Sequence, residues 1–460
     1  MCPGRGEVGS DSLTLDLCQF LADAEFSSLS AEVRQRAKLA ILDSVACAVG
    51  GSVQEPSRIL EEVMASMGGP GHSTVLGTRR RLPVLAATHV NSAHANALDF
   101  DDTELGHPGA TVVPPALAVG EYAHSSGQEL LLAIVLGYEV GLRVGSAIRP
   151  TAGRWRQVAG SSTYQVFGAV ASASKLLHLD HNQTAHAFGL AGSSGPVPAI
   201  RKFGSQDGGG ISWLKNNYGV AGWQGVLAAE LARKGFRGPE TILDGERGFW
   251  VMAGSDCFEP LELTRDLGSD WRIMRVSFKP YPCCRFLHAA VDGVRSILSE
   301  HDLGPGEIDE ITVASVSHVG TFMNRPLEPL DGQFSLPHVL ALTALGVPPG
   351  LRWLSSEVLH DAQAAALAGK VRFVLDPEAE AHFVRREPYE TTVRITTGDA
   401  RYEARVRQPS GHPANPLSPG ALSHKYYDLV NPVWGEERAA ELFERVSRLE
   451  ECADVASLFG

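Results

Sequence analysis

Three short segments hold most of the side chains that could do chemistry. The first is HANALDFDDTELGHPG at 94–109, in which Asp99, Asp101 and Asp102 fall within four residues and are followed by Thr103 and His107. Like charges this close raise one another's pKa, which is one way to make a carboxyl act as a base near neutrality. His107 precedes Pro-Gly and so sits at a break in regular structure, where a side chain is free to point into a cleft. The second segment is the glycine-rich loop 204–210 followed by SWLKNNY at 212–218. A flexible loop ahead of Lys215 and Tyr218 makes an anion clamp, because lysine is a point charge for carboxylates. The third is KPYPCCRFLH at 279–288. Two prolines stiffen a turn that presents Lys279, Tyr281, Arg285 and His288 together, and His288 follows Arg285 by three residues on a similar helix face.

Each segment also has a plainer reading. The acidic stretch could be a helix end running into a solvated loop. Asp99-x-Asp101-x-Thr103 also fits the D-x-D-x-T pattern of haloacid-dehalogenase-type phosphatases, where the first Asp is a nucleophile beside Mg²⁺. That motif ends a buried parallel strand, and the Ala-rich residues 94–98 do not read as one. The glycines match neither G-x-G-x-x-G nor a P-loop, so no nucleotide is implied. No Cys/His pair has ligand spacing, so no metal is expected. The second and third segments could be a surface loop entering a helix and a proline-stiffened core turn.

The elements that must position these residues are mostly helices. Ser30 is placed to cap a helix over Ala31–Val49, with Val33, Ala37, Ile41, Leu42 and Val45 near one face. Gly50-Gly51 is expected to close it. Ala116–Ala123, Glu129–Ala147, Phe167–Leu177, Asn182–Ala191 and Val220–Lys234 are similarly Ala/Leu-rich, with many small residues that permit close helix approach. The texture changes near Asp270. Arg272–Phe278 and Ile311–Val316 have β-type composition, and Thr392–Thr396, Gly398-Asp399 and Arg401–Val406 read as a hairpin. Helical stretches at Leu287–Glu300 and Ser335–Thr343 lie between them. Ser418 and Pro419 then suit a helix start, and Glu436–Glu450 is expected to dock back on the first domain. The expected organisation is a tail at 1–12, a large helical domain of 13–266 plus 405–460, and a smaller α+β domain at 267–404.

Composition bounds the partners. The 460 residues are 44% hydrophobic and 20% charged, which excludes a disordered chain or a fibre. A net charge of −13 with no basic run argues against nucleic acid and anionic membranes. No uninterrupted apolar run reaches membrane-spanning length, and the polar N-terminus lacks a signal peptide's apolar segment, so a cytoplasmic protein is expected. Seven scattered cysteines suggest reduced thiols. Only 8 of the 40 basic residues are lysines, which draws attention to each of them.

Eight pieces in order resemble the MmgE/PrpD family of dehydratases, decarboxylases and relatives, which include an epimerase. They are AKLAILDSVACAVGG (37–51), NALDFDDT (96–103), GYEVGLRVG (137–145), FGAVASASKLLHLD (167–180), GVLAAELARKGFRGPETIL (225–243), KPYPCCRFLHAAVD (279–292), FSLPHVLAL (334–342) and NPLS (415–418). The resemblance implies a mainly α fold, with a large all-helical domain and a smaller α+β lid, assembled as a homodimer with the site between domains. It implies a small polycarboxylate or related acid as substrate, and neither an organic cofactor nor a metal. Carried over residue by residue, it points to Asp99, Thr103, His107, Lys215 and His288. Three positions depart from it. Ala159-Gly160 stands where many members have His-Pro, Tyr218 replaces the His of Lys-x-x-His, and His338 replaces a Tyr.

The chemistry implied is elimination of water or loss of carbon dioxide, each needing a tuned acid or base and cations to hold carboxylates. Asp99 is the expected base or polar anchor, and His107 or His288 its acid/base partner. Lys215 and Arg285 are expected to hold carboxylates, with Thr103, Lys279 and Tyr281 also at the substrate. Tyr218 or His338 could take over proton transfer from the missing His. A site that only shifts protons, as an isomerase or epimerase does, and a non-catalytic scaffold remain alternatives. Neither Asp99 nor Lys215 is expected in the core.

Overall fold

The computed structural model describes residues 12–159, 161–197, 199–200, 210–213 and 218–459. It is mainly helical. The helix Ala31–Gly51 starts where Ser30 Oγ accepts from the Val33 amide at 3.3 Å. All five residues assigned to its apolar face are buried, and so is nearly every position from Ala40 onward, so the second half is enclosed on all sides. Gly50-Gly51 does not end the helix by a left-handed turn. Both glycines stay helical, and a Cβ on Gly51 would lie 2.0 Å from the His94 carbonyl oxygen. Their role is close approach to the helix Val84–Asn96 on one side and to Leu429 on the other.

The helix Gly127–Ala147 opens on a capping box between Ser126 and Glu129. It is long and apolar enough to cross a membrane, but 94% of its apolar window is buried inside the protein. It packs on Val166–Leu176 through Gly137 and Gly168, where an added Cβ on either would come within about 3 Å of the other's carbonyl. Pro108–Ala123, His181–Ser194 and Gly219–Arg233 complete this layer.

Arg272–Phe278 is not a strand. It forms a 3₁₀ turn at Arg272–Arg275, and only Ser277 pairs, with Thr103. The reason is that side chains satisfy its backbone. Glu139 accepts from the Arg272 amide at 2.6 Å, and the Arg36 guanidinium donates to the carbonyls of Ile273 and Val276. Glu139 is itself held by Arg143 at 2.6 Å, both fully buried. Downstream, a four-stranded sheet has Glu310–Ser315 flanked by Val371–Leu375, parallel, and Thr391–Thr397, antiparallel. Thr391–Thr397 and Ala400–Val406 form the expected hairpin. The helix His288–His301 covers the sheet, with Gly293 against Val393. Cys18, Cys47, Cys283, Cys284 and Cys452 form no disulfide, as expected, but Cys257 is disulfide-bonded.

The last helices return to the first. Ser418 Oγ caps Pro419–Trp434 by accepting from the Ala421 amide at 3.1 Å, and this helix packs on Ala31–Gly51. Its Lys425 is 6% exposed. The ammonium donates to Asp43 Oδ1 at 2.6 Å, to the Phe100 carbonyl at 2.6 Å and to the Lys279 carbonyl at 3.1 Å. Three distant stretches are thereby fastened to the C-terminal helix.

Close helix approach at Gly51 makes a direct prediction. Gly51→Ala should lower unfolding free energy by about 1–3 kcal/mol or more, because the added methyl overlaps backbone that cannot move freely. Gly153→Ala, in a helix with open space around it, should stay within about 0.5 kcal/mol of the parent. Urea denaturation checks both, and equal stability of the two variants would refute the packing argument.

Candidate active site

The acidic stretch begins where Val84–Asn96 ends. Asp99 takes a left-handed backbone conformation, φ 47°, and Leu105 another at φ 56°. A non-glycine residue in this region is strained by roughly 1–2 kcal/mol, and Asp tolerates it better than most. Lys279 fixes the conformation by donating to the Asp99 carbonyl at 2.7 Å and to Asp99 Oδ1 at 3.1 Å. The strained turn aims the Asp99 carboxylate inward, and strain of this kind clusters at functional sites. Asp99 is 1% exposed, which corrects the expectation that it lies outside the core.

His107 stands between two carboxylates. Its Nε2 is 3.3 Å from Asp99 Oδ1, and its Nδ1 is 3.2 Å from both oxygens of Asp101. Asn96 Nδ2 lies 2.9 Å from Asp101 Oδ1 and 2.9 Å from His107 Nδ1. The His107 amide donates to Gln165 Oε1 at 3.4 Å, and the ring meets that of Tyr218 at 5.1 Å between centroids. Asp102 faces elsewhere. It accepts from the Gly109 amide at 2.7 Å and from the Tyr138 hydroxyl, which ties down the start of Pro108–Ala123 directly behind His107. Burial, with Asp43 adding to it, pushes the Asp102 carboxyl up to about 7.

Lys279 is thus drawn to Asp99 and is engaged there, although it was expected at a substrate. Thr103 closes the loop beneath it, its hydroxyl donating to the Gly106 carbonyl at 2.8 Å. Tyr281 donates to Asp292 Oδ1 at 2.6 Å and stacks on Trp353, and burial raises its pKa. Arg285 donates to the carbonyls of Ser410 at 2.9 Å and Pro409 at 3.3 Å. His288 is fully buried, with Nε2 3.1 Å from the Cys283 carbonyl and Nδ1 3.2 Å from Arg285. Burial first, then the charges of Arg285 and Lys279, push its pKa well below the usual range, which favours the neutral ring. His338 lies in the first turn of Leu336–Ala344 against Gly332, and burial lowers its pKa also. Lys215 falls outside the described residues. Ala159 is in a short ladder, Val158–Ala159 with Ala199–Ile200. The site as built is therefore Asp99, His107 and Tyr218 with Lys279, joined by Asn96, Asp101 and Gln165, which the sequence reading left unassigned. Asp101 and Asn96 stood inside the quoted motif, but nothing in the spacing ranked Asp101 above Asp102.

One atom each from Asp99, Asp101 and His107 lies within 4.8 Å of the others, close enough to hold a metal ion. The Lys279 ammonium lies 3.1 Å from Asp99 and would compete with a cation there. Gly210–Trp213 lines a pocket with Leu327 and Glu328. Asp331 builds it, accepting from the amides of Ile211 at 2.7 Å, Leu327 at 2.9 Å and Glu328 at 3.0 Å.

Comparison with known proteins covers nearly the whole chain. Residues 15–259 match the MmgE/PrpD N-terminal domain and residues 281–451 the MmgE/PrpD C-terminal domain. Cis-aconitate decarboxylase of Aspergillus terreus is 26% identical over 97% of this chain and 95% of its own length. Cis-aconitate decarboxylases of Homo sapiens and Mus musculus are each 25% identical over 97% of this chain, covering 94% and 92% of their own lengths. With both domain models matched in order, the chain belongs to the MmgE/PrpD family.

Proposed function

We propose that the protein is a cofactor-independent lyase, a dehydratase or decarboxylase of a small polycarboxylate or related acid. The observation that carries this reading is the enclosed Asp99–His107 contact at 3.3 Å, backed by Asp101 on the other ring nitrogen. A histidine braced between two carboxylates is suited to giving and taking a proton. In a dehydration it removes the proton alpha to a carboxylate as hydroxide leaves. In a decarboxylation the carbon–carbon bond breaks, carbon dioxide departs and the ring returns a proton to the resulting carbanion. Asp99, its charge shared with Lys279, stabilises the ring once Nε2 has taken the proton. Lys215 is assigned the substrate carboxylate. The likeness to decarboxylases over nearly full length supports the same class.

A second reading, proton transfer alone as in an isomerase or epimerase, is favoured by the departures at Ala159 and Tyr218. Incubating the protein with tricarboxylates and their unsaturated analogues in deuterated water separates the two by NMR. Loss of water or carbon dioxide supports the lyase. Deuterium exchange without loss supports the second reading, and neither would sink both. Because Ala159 replaces a family histidine, turnover of cis-aconitate should be weak, roughly 10²–10⁴ below an enzyme with a complete acid/base set. Vigorous turnover would mean that Tyr218 or His338 substitutes fully.

Asp99→Asn should lower kcat by about 10²–10⁴ with little change in KM, because the loss falls on the transition state. Steady-state kinetics on the substrate found above, with circular dichroism to verify folding, would refute an acid/base role if kcat held. Activity should also survive dialysis against EDTA. Its loss, with recovery on adding Mg²⁺, would turn the Asp99–Asp101–His107 group into a metal site.

A further inference from the structure

Asn96 Nδ2, Asp101 Oδ1 and His107 Nδ1 stand 2.9, 2.9 and 3.2 Å apart, an almost equilateral triangle. The two N–H bonds of an amide diverge too widely to reach both other corners, so Asn96 donates well to only one. The ionised carboxylate is the stronger acceptor. Turning the amide over would set its oxygen against the Asp101 oxygen at the same 2.9 Å, carbonyl against carboxylate. The oriented amide leaves Asn96 Oδ1 buried without a partner, at a cost of about 1–3 kcal/mol. That cost is tolerated where the nitrogen is needed. With Asn96 committed to Asp101, the single hydrogen of a neutral ring belongs on Nδ1, which meets two carboxylate oxygens at 3.2 Å, rather than on Nε2, which meets one Asp99 oxygen at 3.3 Å whose charge Lys279 shares at 3.1 Å.

We propose that Asp101, oriented by Asn96, is the positioning residue that fixes the proton of neutral His107 on Nδ1 and leaves Nε2 to exchange protons beside Asp99. Asp101 is completely enclosed. During turnover the proton that moves binds and leaves Nε2, while the Nδ1–H stays on Asp101 throughout, so the ring cycles between neutral and cationic forms without turning. The inference rests on the acid/base part assigned to His107, but its first readout is independent of any substrate.

The test is ¹⁵N NMR of the full-length protein with labelled histidine, the His107 signals being those lost in His107→Gln. Above the ring's titration, the protonated nitrogen of His107 should be Nδ1. A proton on Nε2 in the parent protein would overturn the proposal by itself, whether or not any variant folds. In Asp101→Asn, the new amide donates to Nδ1 and the ring proton should move to Nε2. With a substrate in hand, kcat should fall by about 10²–10⁴ at little change in KM. An unchanged tautomer, or a reversed tautomer with full activity, would remove Asp101 from the mechanism. Failure to find any turnover would count against the lyase and isomerase readings alone and leave the tautomer result standing.

Discussion

The buried ammonium of Lys425 holds the arrangement together. It reaches Asp43 on the first long helix, the carbonyl of Phe100 beside Asp99, and the carbonyl of Lys279, whose own side chain grips Asp99. It also lies 4.2 Å from the Phe100 ring centroid. Burial is the largest single influence and works against its charge, but Asp43, Cys47 and Asp101 together overcome it, so its pKa is raised. Breaking a pair of this kind from one side costs about 3–5 kcal/mol, because the other charge stays behind unpaired. Three stretches of chain are therefore joined behind the Asp99 loop by one cation, through the Asp43 carboxylate and the carbonyls of Phe100 and Lys279.

The acidic loop concentrates charge and then divides it by partner. Asp102 goes to Tyr138 and the Gly109 amide, Asp101 to Asn96 and the inner nitrogen of His107, and Asp99 to Lys279 and the outer nitrogen. Three carboxylates within four residues thus take three sets of partners: the start of a helix, one ring nitrogen of His107, and Lys279 beside the other ring nitrogen. The left-handed turn at Asp99 makes this division possible, since an extended or helical backbone would not splay neighbouring side chains in this way.

Much of this was legible in the sequence. Ser30 and Ser418 are the caps they were expected to be, and the hairpin around Gly398-Asp399 forms where its turn chemistry put it. Local signals carry such features. The misreading of Arg272–Phe278 came from judging a backbone by its own side chains, when Arg36 and Glu139 from distant helices satisfy it. The strand Val371–Leu375 went unnoticed because it is short, largely exposed and paired in parallel across sixty residues of intervening chain. At the site, density of titratable groups found Asp99 and His107. It could not reveal that Lys279, 180 residues away, would grip Asp99, or that Lys425, 325 residues from Phe100, would hold the loop.

The separation of Asp43 from Lys425 has a consequence for synthesis. The two partners are 382 residues apart, so at roughly 5–20 residues per second a nascent chain carries Asp43 for about 20–80 s before Lys425 is made. Throughout that interval the first long helix lacks one of its packing partners, Pro419–Trp434, and the loop bearing Asp99 has no Lys425 ammonium behind it. Every truncated translation product ending before residue 419 is in the same state. The loop bearing Asp99 gains the cation behind it only once Lys425 has left the ribosome.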